Sequence, residues 1–148
     1  FSKTGEWIPS SSIPTFASAM DVGNPSNMER FFSLYNDDMK LSREMDCISV
    51  NDEEIIEQIE QQFRKSNLVI CPHTATAFKA YESLEKKEKN NHHWVIVSTA
   101  HPAKFENIVE PIIQESIDVP TNLMTILEKE STFTEIDSDF TSLKQFLV

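Results

Sequence analysis

Glycine is nearly missing: Gly5 and Gly23 are the only two in 148 residues. Nucleotide and phosphate cradles of the G-x-G-x-x-G or G-x-x-x-x-G-K-[ST] kind need several glycines in one short loop, so neither can be written anywhere in this chain. Cysteine is as scarce. Cys47 and Cys71 both sit beside apolar residues, and two thiols do not make the multi-bridge framework of a small secreted domain. The expectation is therefore a reduced, cytoplasmic protein with buried thiols. Long apolar runs are absent too, since no stretch approaches the roughly 20 residues that a membrane-crossing helix needs. Basic residues are outnumbered, 13 Lys and Arg against 24 Asp and Glu, for a net charge of −11. A surface of that sign repels phosphate backbones and anionic headgroups, which argues against nucleic acid and membranes as partners. The serines form no G-x-S-x-G elbow. Metal binding is not expected either: Cys71 and His73 are one residue apart and His92 and His93 are adjacent, whereas structural sites repeat ligand pairs two to four residues apart.

What is present suffices for one compact domain, because 39% of the residues are apolar. Residues 1–27 are rich in Ser, Pro and Thr without a sustained period, and read as a leading segment and loop before a single domain over 28–148. Asn27 is placed to cap a helix whose apolar face is Met28, Phe31, Phe32 and Tyr35, interrupted by Asn36-Asp37-Asp38. Cys47-Ile48-Ser49-Val50 suits a short strand. Asn51 with Glu54 three residues later is a variant capping box, opening a helix with Ile55, Ile56, Ile59 and Phe63 as its buried stripe. Leu68-Val69-Ile70 reads as a second strand, followed by a helix carrying Ala77, Phe78, Tyr81 and Leu84 that ends in the solvated run Glu85 to Lys89. Trp94-Val95-Ile96-Val97, β-branched and apolar, reads as a buried third strand. Strand–helix–strand–helix–strand order favours parallel pairing with right-handed crossovers, so the expected class is α/β: a small parallel sheet flanked by helices. Beyond Phe105 come a helical stretch with Pro111 as kink or boundary, Pro120 to Leu127, and an amphipathic end at Phe140, Leu143, Phe146 and Leu147. No internal repeat is visible.

The third strand runs into Ser98-Thr99-Ala100-His101-Pro102-Ala103-Lys104-Phe105, where small polar residues end the apolar run and Pro102 suits a first helical position. A strand-to-helix turn of this kind, beyond a strand's carboxyl end, is where ligands collect in open α/β sheets. Thr99 and His101 are candidates on position alone. Together with Ala19-Met20-Asp21-Val22-Gly23-Asn24-Pro25-Ser26-Asn27-Met28-Glu29-Arg30 and Pro72-His73-Thr74-Ala75-Thr76-Ala77, in that order, the turn resembles the C-terminal part of threonine synthases from about Ser10 to Phe105. Beyond Phe105 the likeness is loose.

The resemblance implies a fold type II, pyridoxal-phosphate-dependent lyase that converts O-phosphohomoserine and water to threonine and phosphate in threonine biosynthesis. It also implies a fragment, because the family's Schiff-base lysine and its Gly-Asn-Phe-Gly-type phosphate loop belong upstream; the isolated piece is expected to be inactive and not to hold the cofactor covalently. In the matched turn the implied cofactor contact is Thr99, at the pyridine nitrogen. Ser98, His101 and Lys104 on the same turn, Asn24, Ser26 and Asn27 on the earlier loop, and His73 and Thr74 after the second strand are candidates for lining the site. None is assigned a catalytic role. Plainer roles stand beside these: His101, His73 and Thr74 as helix caps, Asn27 as the cap of its own helix, Lys104 as a solvated charge. Thr99 is expected to face an open crevice with Gly23 and Asn24 on its rim. The alternatives are a non-catalytic α/β binding module and a related pyridoxal-phosphate lyase, and self-association through an exposed interface is a further expectation.

Overall fold

The structure is a computed structural model that describes residues 6–35 and 46–147; Asn36-Asp37-Asp38 lie outside them. Two compact units are present, Phe1–Ile117 and Asp118–Val148.

The first unit is built around α2 (Asp52–Ser66), preceded by α1 (Met28–Leu34). The start of α2 is fixed by a reciprocal capping box: the Asn51 side-chain oxygen accepts from the Glu54 N–H at 2.9 Å and the Glu54 carboxylate accepts from the Asn51 N–H at 3.0 Å. That backbone hydrogen bond, with Lys79 3.2 Å away, holds the Glu54 carboxyl below the usual carboxylate range. Asn67 ends the helix in the left-handed conformation, φ 53°, which asparagine tolerates better than most residues. Ile55 and Ile59 are wholly buried on one face and Phe63 packs beside them, but Ile56 is exposed, about 100° round the helix from Ile55.

α2 packs against α3 (Pro72–Ser83) and α5 (Glu106–Ile113), with α4 (Lys86–Asn91) between them in the chain. Pro72 opens α3 at a position where its missing N–H costs nothing. Ile70, Ala75, Val109 and Ile113 join Ile55 and Ile59, and Ala17 closes the cluster from the loop side. Pro111 lies inside α5 without ending it; the helix stops three residues later, at Gln114 with φ 58°. The run Glu85 to Lys89 does not continue α3. Leu84 and Glu85 are extended, and α4 starts anew with its own box between Glu85 and Glu88.

The expected α/β class with a small parallel sheet is not what forms. Among the described residues no strand is assigned, and the architecture is helical. Residues 46–50, 67–71 and 93–99 have no helical assignment, as expected, but no ladder joins them. Val95 and Val97, read as the inside of a central strand, are 86% and 65% exposed. The buried apolar faces are those of α2, α3 and α5 on one another, while a parallel strand is stable only with neighbours and with both faces covered, and the Val95 and Val97 side chains are left largely uncovered. Cys71 is buried and free as expected, whereas Cys47 is exposed.

The second unit contains α6 (Thr121–Leu127) and α7 (Phe140–Leu147). Asp139 caps α7 through the Ser142 hydroxyl at 2.7 Å and the N–H groups of Thr141 and Ser142, which holds its carboxyl below the usual range. Phe140, Phe146 and Leu147 stay exposed.

Candidate functional site

The three segments singled out in the sequence, near 19–30, 72–77 and 98–105, meet at the first turn of α3. His73 and Thr74 occupy that turn and are 5% and 2% exposed, so both are buried polar residues and neither lines an open surface. Each reaches a different segment.

His73 reaches back to the 3₁₀ turn Ser18–Met20, where its Nε2 accepts from the Ala19 N–H at 3.0 Å. An accepting Nε2 assigns the ring proton to Nδ1, which is buried and has no partner. Burial pushes the His73 pKa below its ordinary value, with the Asp21 carboxylate partly opposing it, so the neutral acceptor form is favoured. Asp21 is itself engaged by Thr15, accepting from its N–H at 2.5 Å and its hydroxyl at 2.8 Å. The His73 ring also packs on Phe105, with centroids 4.9 Å apart and planes tilted by 52°.

Thr74 points the other way. Its hydroxyl lies 3.2 Å from the Ser98 hydroxyl and 3.2 Å from the Cys71 thiol. The chain then passes through Thr99, which is exposed, to the 3₁₀ turn Pro102–Phe105. His101 opens that turn: its Nδ1 accepts from the Ala103 N–H at 3.2 Å, the capping role set beside a site role in the sequence. Ala103 is buried and Lys104 exposed.

Asn24, Ser26 and Asn27 are exposed on the loop before α1. Asn27 makes no side-chain cap to that helix. Gly23 is pinned differently, by closeness to Ser10: the Ser10 N–H donates to the Gly23 carbonyl at 3.1 Å, and the Gly23 N–H to the Ser12 hydroxyl at 3.0 Å. Grooves of about 680 Å³ and 460 Å³ flank Ala77 and Ala80 of α3, reaching Asp21 on one side and Val97 on the other, and neither lining includes Ser98 or Thr99.

Sequence reasoning missed the Thr74–Ser98 and Cys71–Thr74 pairs. The i, i+3 spacing of Cys71 and Thr74 across a helix start is a signal for the second; nothing in the sequence announces the first. Chemically, the turn offers a neutral exposed hydroxyl at Thr99, a nearby ammonium at Lys104, and no carboxylate between Ser98 and Phe105.

A family model described as "Threonine synthase, C-terminal" matches residues 74–147. Threonine synthase of Buchnera aphidicola subsp. Schizaphis graminum is 32% identical over 148 residues, covering all of this chain and 34% of that protein. The Escherichia coli K12 threonine synthase is 28% identical over the same span. Among solved structures, threonine synthase from Escherichia coli matches 99% of this chain and 33% of its own with a TM-score of 0.79 at 27% identity. The PLP-bound threonine synthase from Brucella melitensis matches 99% of this chain and 36% of its own with a TM-score of 0.68 at 21% identity, a likeness of fold. The chain spans about a third of the length of the curated relatives it matches.

Proposed function

Because the chain belongs to the threonine synthase family, we propose that it forms the C-terminal part of an enzyme that makes L-threonine and phosphate from O-phospho-L-homoserine and water with pyridoxal phosphate. The observation that carries this reading is the family match itself, which starts at Thr74 and runs through the turn bearing Thr99.

The residues present fit one end of the cofactor. Thr99 is exposed and neutral, which suits a hydrogen bond at a pyridine nitrogen, while two glycines in the whole chain leave the cofactor's phosphate without a cradle here. When bound, pyridoxal phosphate supplies an electron sink that eases loss of phosphate from the substrate and the later addition of water. Thr99 moderates that sink, because a hydroxyl, unlike a carboxylate, does not hold the ring nitrogen as a cation. His101 steadies the turn through Ala103, and the exposed Lys104 ammonium attracts phosphate. Asn24, Ser26 and Asn27 offer exposed polar groups on the loop before α1. On this reading the lysine that carries the cofactor lies outside the chain, the chain alone is inactive, and the free thiols suit a cytoplasmic protein.

The test is phosphate release and threonine formation from O-phosphohomoserine by the full-length protein with pyridoxal phosphate, alongside a Thr99→Val variant. Equal yields of both products, with kcat lowered about tenfold or more in the variant, support the reading and the role of Thr99. Phosphate without threonine identifies a related lyase, and no turnover a non-catalytic module.

A further inference from the structure

The Ser98–Thr99 turn is exposed, lies in a segment with no assigned secondary structure, and yet presents the residue on which the proposed function turns. Something must fix its direction. Upstream, the Trp94 indole N–H donates to the Glu88 carbonyl at 3.3 Å; downstream, Ala103 is buried and Phe105 packs against the His73 ring. Those anchors are nine residues apart at their closest, too far to define one side chain's direction between them. His101 caps the turn locally through Ala103, and the hydroxyl pair of Thr74 and Ser98 ties Ser98 and Thr99 to α3.

Thr74 is suited to that task. It stands on the first turn of α3, next to Ala75 of the central core, so its own position is set by the packing of the first unit's buried core. Its hydroxyl is buried, and a buried hydroxyl without a good partner is costly. The Cys71 thiol beside it is a weak donor and acceptor. The stronger partner is Ser98. The demand of Thr74 for a hydrogen bond therefore holds the Ser98 hydroxyl at the start of α3, while Thr99, the next residue, stays exposed.

We propose that Thr74 is a positioning residue: through the hydroxyl of Ser98 it sets the direction in which Thr99 is presented to the cofactor. The proposal rests on the reading of Thr99 given above. Thr74 itself touches neither cofactor nor substrate, and Ser98 is the link through which it acts.

The experiment uses the full-length protein with pyridoxal phosphate and compares wild type, Thr74→Val, Thr74→Ser, Ser98→Ala and the double variant Thr74→Val/Ser98→Ala. Valine keeps the shape of threonine and removes the hydroxyl. Expected for Thr74→Val are an altered absorption band of the bound cofactor, faster amide exchange confined to residues 98–100, and kcat lowered about tenfold, the factor that one hydrogen bond's worth of alignment represents. KM should stay near wild type. Thr74→Ser restores all three, Ser98→Ala reproduces the loss, and the double variant is no worse than either single one, because the two residues act as one device. An unchanged absorption band and unchanged exchange in Thr74→Val overturn the proposal, as do additive losses in the double variant. If Thr74→Val unfolds, Ser98→Ala decides by the same readouts. Failure of the wild-type protein to form threonine refutes the functional reading instead, and the exchange data still test whether Thr74 orders the turn.

Discussion

A methyl group at Gly23 would sit 1.8 Å from the Ser10 carbonyl oxygen and 2.7 Å from its carbonyl carbon. Non-bonded atoms prefer roughly 3.5 Å, so in Gly23→Ala one of the two backbones must retreat by more than about 1 Å. The requirement at Gly23 is space. Retreat breaks the Ser10-to-Gly23 hydrogen bond and the Gly23-to-Ser12 bond, now 3.1 Å and 3.0 Å. Each is worth about 1 kcal/mol net, which sets the loss near 2 kcal/mol. The loss stays near that figure because residues 8–12 are exposed and can lift away without disturbing the core. Urea midpoints measure the total, and amide exchange at Ser10 locates it. Ser12→Ala is the control: it removes one of the two bonds and adds no clash, so about half the effect is expected. Unchanged exchange at Ser10 in Gly23→Ala would show that the methyl is accommodated and refute the steric argument.

Asn51→Ala should lower stability by about 1 kcal/mol in denaturant unfolding by removing half of the α2 capping box, and an unchanged midpoint would mean that Glu54 and Lys79 suffice to hold the helix start. His73 predicts an acid-side loss: its folded pKa lies below the ordinary value of 6.5, so its contribution is complete above about pH 6.5 and falls as the pH drops through that value toward the folded pKa. In His73→Gln, whose side-chain oxygen accepts from Ala19 at any pH, the fall in urea midpoint between pH 7.5 and 5.5 should be shallower than in wild type; parallel curves would exclude His73 as the source.

The local rules were legible. Asn51 and Glu54 announce the start of α2 because both halves of a capping box are written three residues apart, and the spacing of Ile55 and Ile59 puts them on one face. That no sheet forms among the described residues was not legible, and the reason lies in Trp94 to Val97. Apolar β-branched residues favour an extended backbone, and 93–99 has no helical assignment, but that preference says nothing about whether a neighbouring strand exists to pair with. The valines that would pack inside such a sheet stand in solvent instead. The candidate site divides in a similar way. The sequence marked Thr99, His73 and Thr74 as site candidates, but direction needs the third dimension: Thr99 is exposed, while His73 and Thr74 are buried.

Direction also explains why two adjacent residues serve this region. Neighbouring positions on a helix diverge by about 100°, so His73 and Thr74 cannot contact the same segment and are free to hold two. His73 takes the Ala19 backbone and the Phe105 ring, and Thr74 takes Ser98. A pair spaced i, i+4 would lie on one face and hold a single neighbour. Placing both at the first turn adds a second advantage, because Ala75 follows directly and is anchored in the core with Ile55 and Ile59. Side chains there stand directly beside the buried core, and through them the Ala19 loop and the Ser98 segment are tied to it. The arrangement therefore transfers order from the α2–α3 packing outward to the Ala19 loop and the Thr99 turn. By the same route, a core substitution such as Ile59→Ala would reach Thr99 through the set of the α3 first turn rather than through any contact of its own.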